Sequence, residues 1–356
     1  MTGARASFSA QIVRWQKVHG RHNLPWQNTR DPYHVWLSEV MLQQTQVATV
    51  AGYYQRFLAR FADVRALAGA SLDQVMALWG GLGYYSRARN LHRCAIAVVQ
   101  RHGGEFPRSV VALQALPGVG ASTAAAIAAL CFGQREAILD GNVRRVLTRY
   151  LGFAGDLALA AQQRELLLQA QALLPRRNLV QTMPPYTQGL MDLGATICTV
   201  RSPDCPACPL TSRCVARSER NVQDYPVKSR PLRRGSESVW MLWLQAPDQS
   251  LWLGRRPSPG VWAALYCFPL FASEAALLAS VPARLQQRLE LLPVFKHVLT
   301  HKDLQLHPVR LHAAASVRPA VDGAWFGADQ WPGLGLPAPV RRLLQVGGSQ
   351  PKDVDG

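Results

Sequence analysis

The chain has 356 residues and carries 39 Lys and Arg against 22 Asp and Glu, a formal charge of +17 at pH 7. This excess attracts polyanions and supplies phosphate contacts, so nucleic acid is the expected partner, although a basic surface can also serve solubility alone. The amino-terminal sequence lacks the apolar core of a signal peptide, and no apolar run is long enough to span a bilayer. We therefore expect a nucleic-acid-binding chain of two or three domains that does not enter a membrane.

From residue 7 to about residue 200, apolar residues recur at three- and four-residue spacing, which predicts a series of helices. One helix begins at Asp31-Pro32, an N-cap followed by proline at the first helical position. Glu39 lies at the flank of its apolar stripe, where a solvated surface carboxylate is the simplest interpretation. Continuing the helix would place Gln44 within the stripe. We therefore predict a break at Gln43-Gln44, with Thr45 as the cap of the next helix.

The segment 79–89 (WGGLGYYSRAR) combines flexible glycines with the adjacent pair Tyr84-Tyr85 and with Arg87 and Arg89. Aromatic rings next to arginines suit stacking on bases together with phosphate contacts. The alternative is a glycine-rich loop between helices that contains buried tyrosines.

Gly118 and Gly120 flank one apolar residue in the segment LPGVG, and a helix of small residues follows. This spacing predicts a tight turn, after which the helix start presents backbone N–H groups to a phosphate. The pattern is typical of the helix-hairpin-helix motif of sequence-independent DNA binding, with an ordinary glycine turn as the alternative. Further along, Asp140 precedes a helix that contains Val143 and Val146, so this aspartate is either an N-cap or a functional carboxylate.

Four cysteines lie close together near residue 200, namely Cys198, Cys205, Cys208 and Cys214. Thiolates are soft ligands, and short loops bring them together around a tetrahedral metal ion or an iron–sulfur cluster. Two disulfides are the alternative, but nothing in the sequence indicates export. The spacing does not distinguish zinc from a 4Fe–4S cluster, and it differs from the spacing in bacterial ferredoxins.

The character of the sequence changes after the cysteines. A polar and basic stretch, 217–235, indicates a linker. Segments 238–244 and 251–253 flank a turn and predict a β-hairpin, and segment 294–311 alternates in the same way. We therefore predict a multidomain protein with an all-α region at 1–222, a basic linker at 223–236, a smaller α+β domain at 237–346 and a disordered tail at 347–356.

Taken together, these motifs resemble one family. The segments WLSEVMLQQTQVATV, GLGYYSRARNL, LPGVGASTAAAI, ILDGNVRRVL and MDLGATICT occur in the same order as in the MutY family, the adenine DNA glycosylases of the helix-hairpin-helix superfamily. The match includes the cysteine quartet and extends from about residue 8 to residue 345. The resemblance implies a base excision repair enzyme that flips adenine out of duplex DNA and removes it opposite 8-oxoguanine or, less well, opposite guanine.

The resemblance assigns catalysis to Glu39 and Asp140 and cofactor binding to the four cysteines. It implies that Glu39 is the general acid that protonates N7 of adenine, and that Asp140 stabilises the oxocarbenium-like sugar. The apolar neighbours Trp26, Trp36 and Val40 are expected to raise the pKa of Glu39. The cysteines are implied as ligands of a 4Fe–4S cluster, which resolves the choice that their spacing leaves open.

Further residues are implied as contacts of the DNA and of the flipped base. Tyr84 is expected to wedge into the base stack beside 8-oxoguanine, Gln44 to fill the space near the flipped nucleotide, and Arg201 to lie along the DNA backbone. The full set of expected contacts comprises Trp26, Gln43, Gln44, Thr45, Leu82, Tyr84, Arg87, Gly118, Gly120, Ser122, Asn142, Gln188, Arg201, Thr300 and His301.

One position decides whether strand cleavage accompanies base removal. Related bifunctional glycosylases of the thymine-glycol type carry a Schiff-base lysine in the hairpin, where this chain has Ser122, and serine cannot form an imine. We therefore predict a monofunctional glycosylase. A bifunctional glycosylase and lyase, or a non-catalytic DNA sensor that carries a cluster, are the alternatives.

The carboxy-terminal domain resembles the Nudix-like domain with which the family reads 8-oxoguanine. Only Glu237, Glu274 and Glu290 occur after residue 236, far apart, so we expect no Nudix metal site and no nucleotide hydrolysis. Leu299-Thr300-His301 stands where the family often has Phe-Ser-His, so the hydroxyl and imidazole remain but the aromatic ring is lost. Thr187 replaces a frequent Asn. The expected partner is duplex DNA with adenine opposite 8-oxoguanine or guanine, bound by a monomer at the nucleoid in a bacterial cytoplasm.

Overall fold

The computed structural model describes residues 6–229, 235–300 and 302–347. The chain divides into two compact units. The first unit comprises residues 1–68 and 93–230, and the second comprises residues 69–92 and 231–356. The helical segment 69–92 is thus grouped with the carboxy-terminal part. The predicted boundaries at 222 and 237 instead assign this segment to the all-α region. Part of the predicted linker, 230–234, and the predicted disordered tail from residue 348 onwards lie outside the described residues.

The described residues before the first strand form a series of helices, as the three- and four-residue spacing predicts. Among the described residues, the helices before the first strand are α1 (Phe8–His19), α2 (Pro32–Leu42), α3 (Val47–Arg60), α4 (Val64–Gly69), α5 (Leu72–Trp79), α6 (Ser86–His102), α7 (Val110–Gln114), α8 (Ala121–Phe132), α9 (Gly141–Leu151), α10 (Ala160–Ala172), α11 (Leu179–Thr196) and α12 (Val215–Ser218). None of these helices, nor any later one in the described ranges, is long and apolar enough to cross a membrane.

The core of the first unit is formed by α1, α8, α9, α10 and α11, and its buried residues include Ile12, Ala126, Val143 and Leu193. The small side chains of α8 allow α2, α7 and α11 to pack against it. Helix α11 also approaches the start of α9 closely, because a Cβ at Gly194 would lie 2.7 Å from the Cβ of Asn142. This packing holds the beginning of α9, which Asp140 precedes, at a fixed place on the helical core.

The break predicted after α2 is present. Asp31 caps this helix, because its Oδ1 accepts the N–H group of Tyr33 at 2.8 Å. The helix ends at Leu42, and Gln44 has a left-handed φ of 54°. The prediction that Thr45 caps the next helix is wrong. Gln46 is the N-cap residue of α3 and makes no side-chain cap. The hydroxyl of Thr45 donates to the carbonyl of Gln43 at 3.2 Å.

The second unit contains α5 and a mixed sheet. Its strands are β1 (Gly235–Gln245), β2 (Leu251–Arg255), β3 (Tyr266–Cys267), β4 (Leu270–Phe271), β5 (Glu290–Leu291), β6 (Phe295–Val298), β7 (Lys302–His312) and β8 (Ala324–Phe326). The sheet order is β3-β2-β1-β7-β5, with β4 on β1, β6 on β7 and β8 on β2. Three helices accompany the sheet: α13 (Glu274–Ser280), α14 (Ala283–Gln286) and α15 (Ala338–Gly347). The prediction of an all-α region followed by an α+β domain is confirmed.

Both predicted hairpins occur in this sheet. Strands β1 and β2 are antiparallel, and Asp248 stabilises their turn by accepting the N–H group of Ser250 at 3.0 Å. Strands β6 and β7 are also antiparallel, and the N–H group of Leu299 donates to the carbonyl of Lys302 at 2.9 Å. Thr300 therefore lies in an exposed turn between two strands, while His301 lies outside the described residues.

Candidate active site

Two carboxyl groups predicted to be catalytic lie in the first unit and interact electrostatically. Glu39 projects from the last turns of α2 and is half-buried. Burial and, as the smaller cause, the negative charge of Asp140 together raise the pKa of Glu39 from 4.5 to about 7. Glu39 is therefore not a freely solvated surface carboxylate. Its neighbours Trp36 and Val40 on α2 are buried, as the sequence led us to expect.

Asp140 is both an N-cap and a partly desolvated carboxylate. Its Oδ1 accepts the N–H group of Val143 at 2.7 Å at the start of α9. Burial raises the pKa of Asp140, whereas the N–H groups of Val143 and Asn142 and the positive charges of Arg145 and Arg144 act in the opposite direction. The N-cap and the functional carboxylate, which the sequence left as alternatives, are thus compatible. The same carboxylate of Asp140 caps α9 and acts electrostatically on Glu39.

Trp26 and Gln188 line one open cavity of about 1100 Å³ in the first unit. Trp26 is buried, and its ring meets Tyr54 edge-to-face with centroids 5.5 Å apart. Val35, one helical turn before Glu39 on α2, also lines the cavity. Two residues of the expected DNA and base contacts therefore share a cavity that borders α2, and the lining of this cavity does not include Glu39 or Asp140.

The glycine turn before α8 has the conformation that its sequence predicts. Gly118 has a φ of 75°, and Gly120 is the N-cap residue of α8 without a side-chain cap. A Cβ at Gly120 would meet no protein atom within 4 Å. The helix start is therefore open towards an outside acceptor. Ser122 is the second residue of α8 and is half-buried, and Gln43 donates from Nε2 to the hydroxyl of Thr123 at 3.4 Å.

Two residues expected to probe the DNA have left-handed backbone conformations. Gln44 has a φ of 54° and Tyr84 a φ of 49°, and both side chains are exposed. Non-glycine residues adopt this region at an energetic cost that functional sites often retain. Within the second unit, the hydroxyl of Tyr84 shares a hydrogen bond of 2.6 Å with the hydroxyl of Thr300. Two predicted contacts far apart in the sequence are thus adjacent.

The remainder of the glycine-rich loop differs from its predicted role. Arg87 is buried, lies over the rings of Trp79 and Tyr84, and donates to the carbonyls of Leu82 and Gly83. Burial lowers the pKa of Arg87 to about 10. The guanidinium of this arginine therefore supports the loop from within, and its contact with a phosphate stays a prediction. Leu82 is also buried, so Tyr84 is the exposed member of this group.

The four thiols of the quartet line a single cavity of about 420 Å³ in the first unit. No group of three or more His, Cys, Asp or Glu residues within the described ranges is spaced for one metal ion, so the thiols surround a space rather than one point. They are free and half-buried, and burial raises the pKa of Cys208 to about 12. Thiols of this kind are uncharged when nothing is bound. A bound cationic centre would therefore have to stabilise their thiolate form.

Two arginines of α9, which the sequence did not indicate, hold the cysteine segment. Arg145 donates to Oδ1 of Asn142 at 2.8 Å and to the carbonyl of Cys198 at 2.7 Å. Arg149, one turn later, donates to Sγ of Cys198 at 3.4 Å and to the carbonyls of Thr199 and Val200. Arg201 lies exposed in the loop that follows. The helix that begins after Asp140 therefore also anchors the first cysteine.

Asp192 and Arg21 were likewise not singled out from the sequence. Asp192 is completely buried on α11 and pairs with Arg21 at 2.8 Å. Gln188, one turn earlier, donates from Nε2 to the same carboxylate at 2.9 Å. Asp192 and Arg21 are 171 positions apart, so their pairing gives no local sequence signal. The one available sign was that Asp192 is the single acidic residue of the segment MDLGATIC. Thr187 is buried on the same helix, and nothing in the structure explains its replacement of asparagine.

Comparison with known proteins agrees with this arrangement. Residues 37–169 match the HhH-GPD superfamily of base excision DNA repair proteins, and residues 239–346 match the NUDIX domain. The adenine DNA glycosylase of Buchnera aphidicola subsp. Schizaphis graminum is 32% identical over 345 residues, which cover 95% of this chain and 98% of that protein. The human adenine DNA glycosylase is 43% identical over 221 residues, covering 59% of this chain and 39% of its own length.

Among solved structures, a thermostable thymine-DNA glycosylase is 30% identical and superposes with a TM-score of 0.53, covering 60% of this chain and 95% of its own. The resemblance drawn from the sequence motifs is confirmed by the family matches and by the nearly full-length relative. The chain therefore belongs to the adenine DNA glycosylase (MutY) family of base excision DNA repair enzymes.

Proposed function

We propose that this chain hydrolyses the N-glycosidic bond of adenine that lies opposite 8-oxoguanine and, less well, opposite guanine, acting as a monomer on bacterial DNA in the cytoplasm. The observation that carries the proposal is the carboxyl pair of Glu39 and Asp140. Because the pKa of Glu39 is raised to about 7, a proton is available on this side chain near neutral pH. Two carboxyl groups with opposed protonation suit the cleavage of a glycosidic bond.

The chemistry follows from what each carboxyl group can do. Adenine inside a duplex is out of reach, so it must first be extruded into a pocket, for which the cavity lined by Trp26 and Gln188 is the candidate. Glu39 then donates its proton to N7, so that the base leaves as a neutral molecule when the bond between C1′ and N9 breaks. Asp140 stabilises the positive charge that develops on the sugar. Water attacks C1′, and its proton passes to Glu39.

Local interactions favour the ionised form of Asp140, although burial is the larger effect and its pKa is raised on balance. The N–H group of Val143 donates to Oδ1 at 2.7 Å, and the charges of Arg145 and Arg144 favour the anion. These interactions oppose the effect of burial on the pKa. Glu39 lacks such contributions, and its main causes of pKa perturbation, burial and the neighbouring anion, both favour the protonated acid. This difference in environment supports the proposal that Glu39 is the acid and Asp140 the anion.

We further propose that the four cysteines hold a 4Fe–4S cluster. Support comes from the single cavity that all four thiols line, and from Arg149, whose guanidinium lies 3.4 Å from Sγ of Cys198. The cluster would serve as a cross-link that orders the loop between α11 and α12. Arg201 on that loop would then be held where it can contact a DNA phosphate. No step of base removal depends on electron transfer.

Recognition of 8-oxoguanine is proposed for Tyr84 and Thr300. The exposed ring of Tyr84 can insert beside a base, and its hydroxyl is fixed by Thr300 at 2.6 Å. A hydroxyl at this position can bond to the N7–H group that distinguishes 8-oxoguanine from guanine. His301 is expected to contribute to the same contact. The scarcity of acidic residues in this domain supports recognition without nucleotide hydrolysis.

Monofunctional base removal is proposed because Ser122 occupies the hairpin position at which a lyase carries lysine. The product should contain an intact abasic site that breaks only on treatment with alkali or heat. Borohydride should trap little covalent complex with the unaltered protein. Efficient trapping at the rate of base release would instead favour a bifunctional glycosylase and lyase.

The deciding experiment measures single-turnover base release from three duplexes that carry adenine opposite 8-oxoguanine, adenine opposite guanine, and thymine glycol opposite adenine. Release of adenine, fastest opposite 8-oxoguanine, is the expected result. Glu39→Gln should lower the rate by roughly 100-fold or more, since general acid catalysis contributes about 10²–10⁴, while duplex binding is retained. A loss smaller than about tenfold, or about 1.4 kcal/mol, would show that Glu39 is not the acid.

A further inference from the structure

The loop that presents Tyr84 is held by residues of the carboxy-terminal part of the second unit. We define the wedge loop as residues 80–85, which connect α5 to α6. Two of its glycines, Gly81 and Gly83, have left-handed φ values of 96° and 75°. Glycine has more accessible backbone conformations than any other residue, so a loop of this composition needs contacts from outside to fix its shape. The position of Tyr84 therefore depends on what holds the wedge loop.

At the first end of the wedge loop, the guanidinium of Arg341 lies directly against Gly80. A Cβ built on Gly80 would lie 2.9 Å from both Nε and Nη2 of Arg341, and 3.0 Å from the carbonyl oxygen of Ala77. The φ of Gly80 is −52°, which any residue adopts, so it is this close approach that favours glycine. The same Nη2 donates to the carbonyl of Leu334 at 2.7 Å. Arg341 on α15 therefore joins the start of the wedge loop to the segment that precedes α15.

The other end of the wedge loop and its tip are held by two further carboxy-terminal segments. Arg89, in the first turn of α6, donates from Nη1 to the carbonyl of Ala263 at 2.6 Å. Ala263 is buried, so it offers this carbonyl from a fixed place. At the tip, the hydroxyl of Tyr84 shares its hydrogen bond of 2.6 Å with the hydroxyl of Thr300. Segments around Ala263, Thr300 and Arg341 thus hold the wedge loop at three points.

We infer that Arg341 and Arg89 are positioning residues, which hold the two ends of the wedge loop so that Tyr84 enters the base stack beside 8-oxoguanine. The inference rests on the proposed function. Neither arginine has to touch the DNA, because each acts through the loop. A loop that is ordered before binding loses less conformational entropy when its side chain inserts. The carboxy-terminal part then contributes to the preference for 8-oxoguanine in two ways, by contact through Thr300 and by ordering the loop that carries Tyr84.

The test compares Arg341→Met with the matched control Arg342→Met. Methionine keeps an unbranched side chain and loses the guanidinium, and the guanidinium of Arg342 lies over the ring of Phe295 rather than against the wedge loop. The quantity is the lesion ratio, the single-turnover rate constant for adenine opposite 8-oxoguanine divided by that opposite guanine, with protein below saturation so that binding contributes. Arg341→Met should lower the lesion ratio by about two- to thirtyfold, the range in which residues without ligand contact change a coupling. Arg342→Met should leave it unchanged.

A second readout reports the insertion of Tyr84 itself. The fluorescent base 2-aminopurine, placed next to 8-oxoguanine in the same strand, brightens when it is unstacked. At saturating protein, the gain in fluorescence should be smaller for Arg341→Met than for the unaltered protein, whereas a purely structural role would leave the gain of the folded variant unchanged. The double variant Arg341→Met, Tyr84→Ala should have the same lesion ratio as Tyr84→Ala, because Arg341 acts through Tyr84.

A second variant keeps the test available if Arg341→Met does not fold, which thermal unfolding would show. Arg89→Met removes the contact with the carbonyl of Ala263 at the opposite end of the wedge loop. It should lower the lesion ratio and the fluorescence gain in the same direction as Arg341→Met.

The outcomes separate the inference from the proposed function. If the unaltered protein releases adenine from neither duplex, the proposed function fails. If it releases adenine but the lesion ratio and the fluorescence gain are unchanged in the folded arginine variants, the inference is overturned and adenine release stands. An equal fall of the ratio in Arg342→Met, or a further fall in the double variant beyond Tyr84→Ala, would also overturn it. A fall in Arg341→Met that is absent from Arg342→Met and from the Tyr84→Ala background supports the inference.

Discussion

Glu39→Gln should stabilise the protein at pH 8, because ionisation of Glu39 is less favourable in the folded state than in the unfolded state. Burial and the charge of Asp140 raise the pKa of Glu39 from 4.5 to about 7. A glutamine has nearly the same shape and carries no charge at any pH, so it escapes this penalty. The variant therefore isolates the energetic cost of keeping a candidate acid catalyst half-buried beside another carboxylate.

The magnitude and its dependence on pH follow from the pKa shift. The difference between 4.5 and about 7 corresponds to roughly 3 kcal/mol at 1.36 kcal/mol per pKa unit. Between these two pH values the folded state binds more protons than the unfolded state, so the free energy of unfolding falls as the pH rises. The loss is absent below about pH 4 and complete above about pH 7. Glu39→Gln should therefore match the unaltered protein at low pH and exceed it at pH 8.

The measurement is the difference in thermal unfolding midpoint between Glu39→Gln and the unaltered protein, taken at several pH values from 5 to 8. A stability difference of about 3 kcal/mol shifts the midpoint by roughly 6–12 °C in a domain of this size, and the shift should grow with pH. Glu105→Gln is the matched control, because Glu105 is an exposed glutamate of the same unit. Its midpoint difference should stay small and independent of pH.

A midpoint difference that is zero or negative at pH 8 would refute the reasoning, since it would mean that ionised Glu39 is no less stable in the fold than glutamine. A difference of constant size across the pH range would also contradict it, because packing alone does not depend on pH. Either result would remove the support for Glu39 as a group that is protonated near neutrality.

Three further perturbations have defined outcomes. Gly120→Ala should leave the thermal unfolding midpoint unchanged, because the added Cβ meets no described protein atom, yet it should weaken duplex binding several-fold in a titration. Gly333→Ala is the control, and it should change neither the unfolding midpoint nor duplex binding. Arg149→Met should remove three carbonyl contacts and the contact to Cys198, lowering the iron content per chain, and full iron content would contradict its anchoring role. Ala264→Gly should raise stability by about 0.5–1 kcal/mol, since the φ of 64° costs alanine roughly 1–2 kcal/mol and glycine loses part of this gain through unfolded-state entropy. Ala263→Gly should instead lower the unfolding midpoint.

Features that depend on neighbouring residues could be predicted from the sequence. The cap at Asp31, the break after Leu42 and the turn at Asp248 each follow from the chemistry of a few adjacent side chains and their own backbone. The same holds for the tight turn at Gly118, where the positive φ excludes most other residues. Thr45 is the exception. Its hydroxyl could either cap α3 or donate to the carbonyl of Gln43, and in the structure it makes the second contact.

Features that join distant parts of the chain could not be predicted in this way. The parallel pairing of β1 with β7 brings Gly235 next to Lys302. A short turn in the sequence predicts only an antiparallel neighbour, so it could not indicate this parallel pair. Arg87 has the side chain of a phosphate ligand, but its Nη2 donates to the carbonyls of Leu82 and Gly83 inside the loop. Asp192 looks like an ordinary helical acid until α1 and α11 pack together. In each case the partner, rather than the residue itself, determines the role.

Some of the positions proposed to act on DNA depart from the local preferences of the chain. Gln44 and Tyr84 are exposed residues with left-handed backbone conformations, although neither type gains from such a conformation. Glu39 is a carboxylate in a site that disfavours its charge. The core of the first unit, by contrast, is closely packed around Ala126. A fold retains an unfavourable local state only where the surrounding structure enforces it. Trp262 and Ala264 share the left-handed conformation away from the proposed contacts, so it is the combination with exposure at Gln44 and Tyr84 that supports a role in binding.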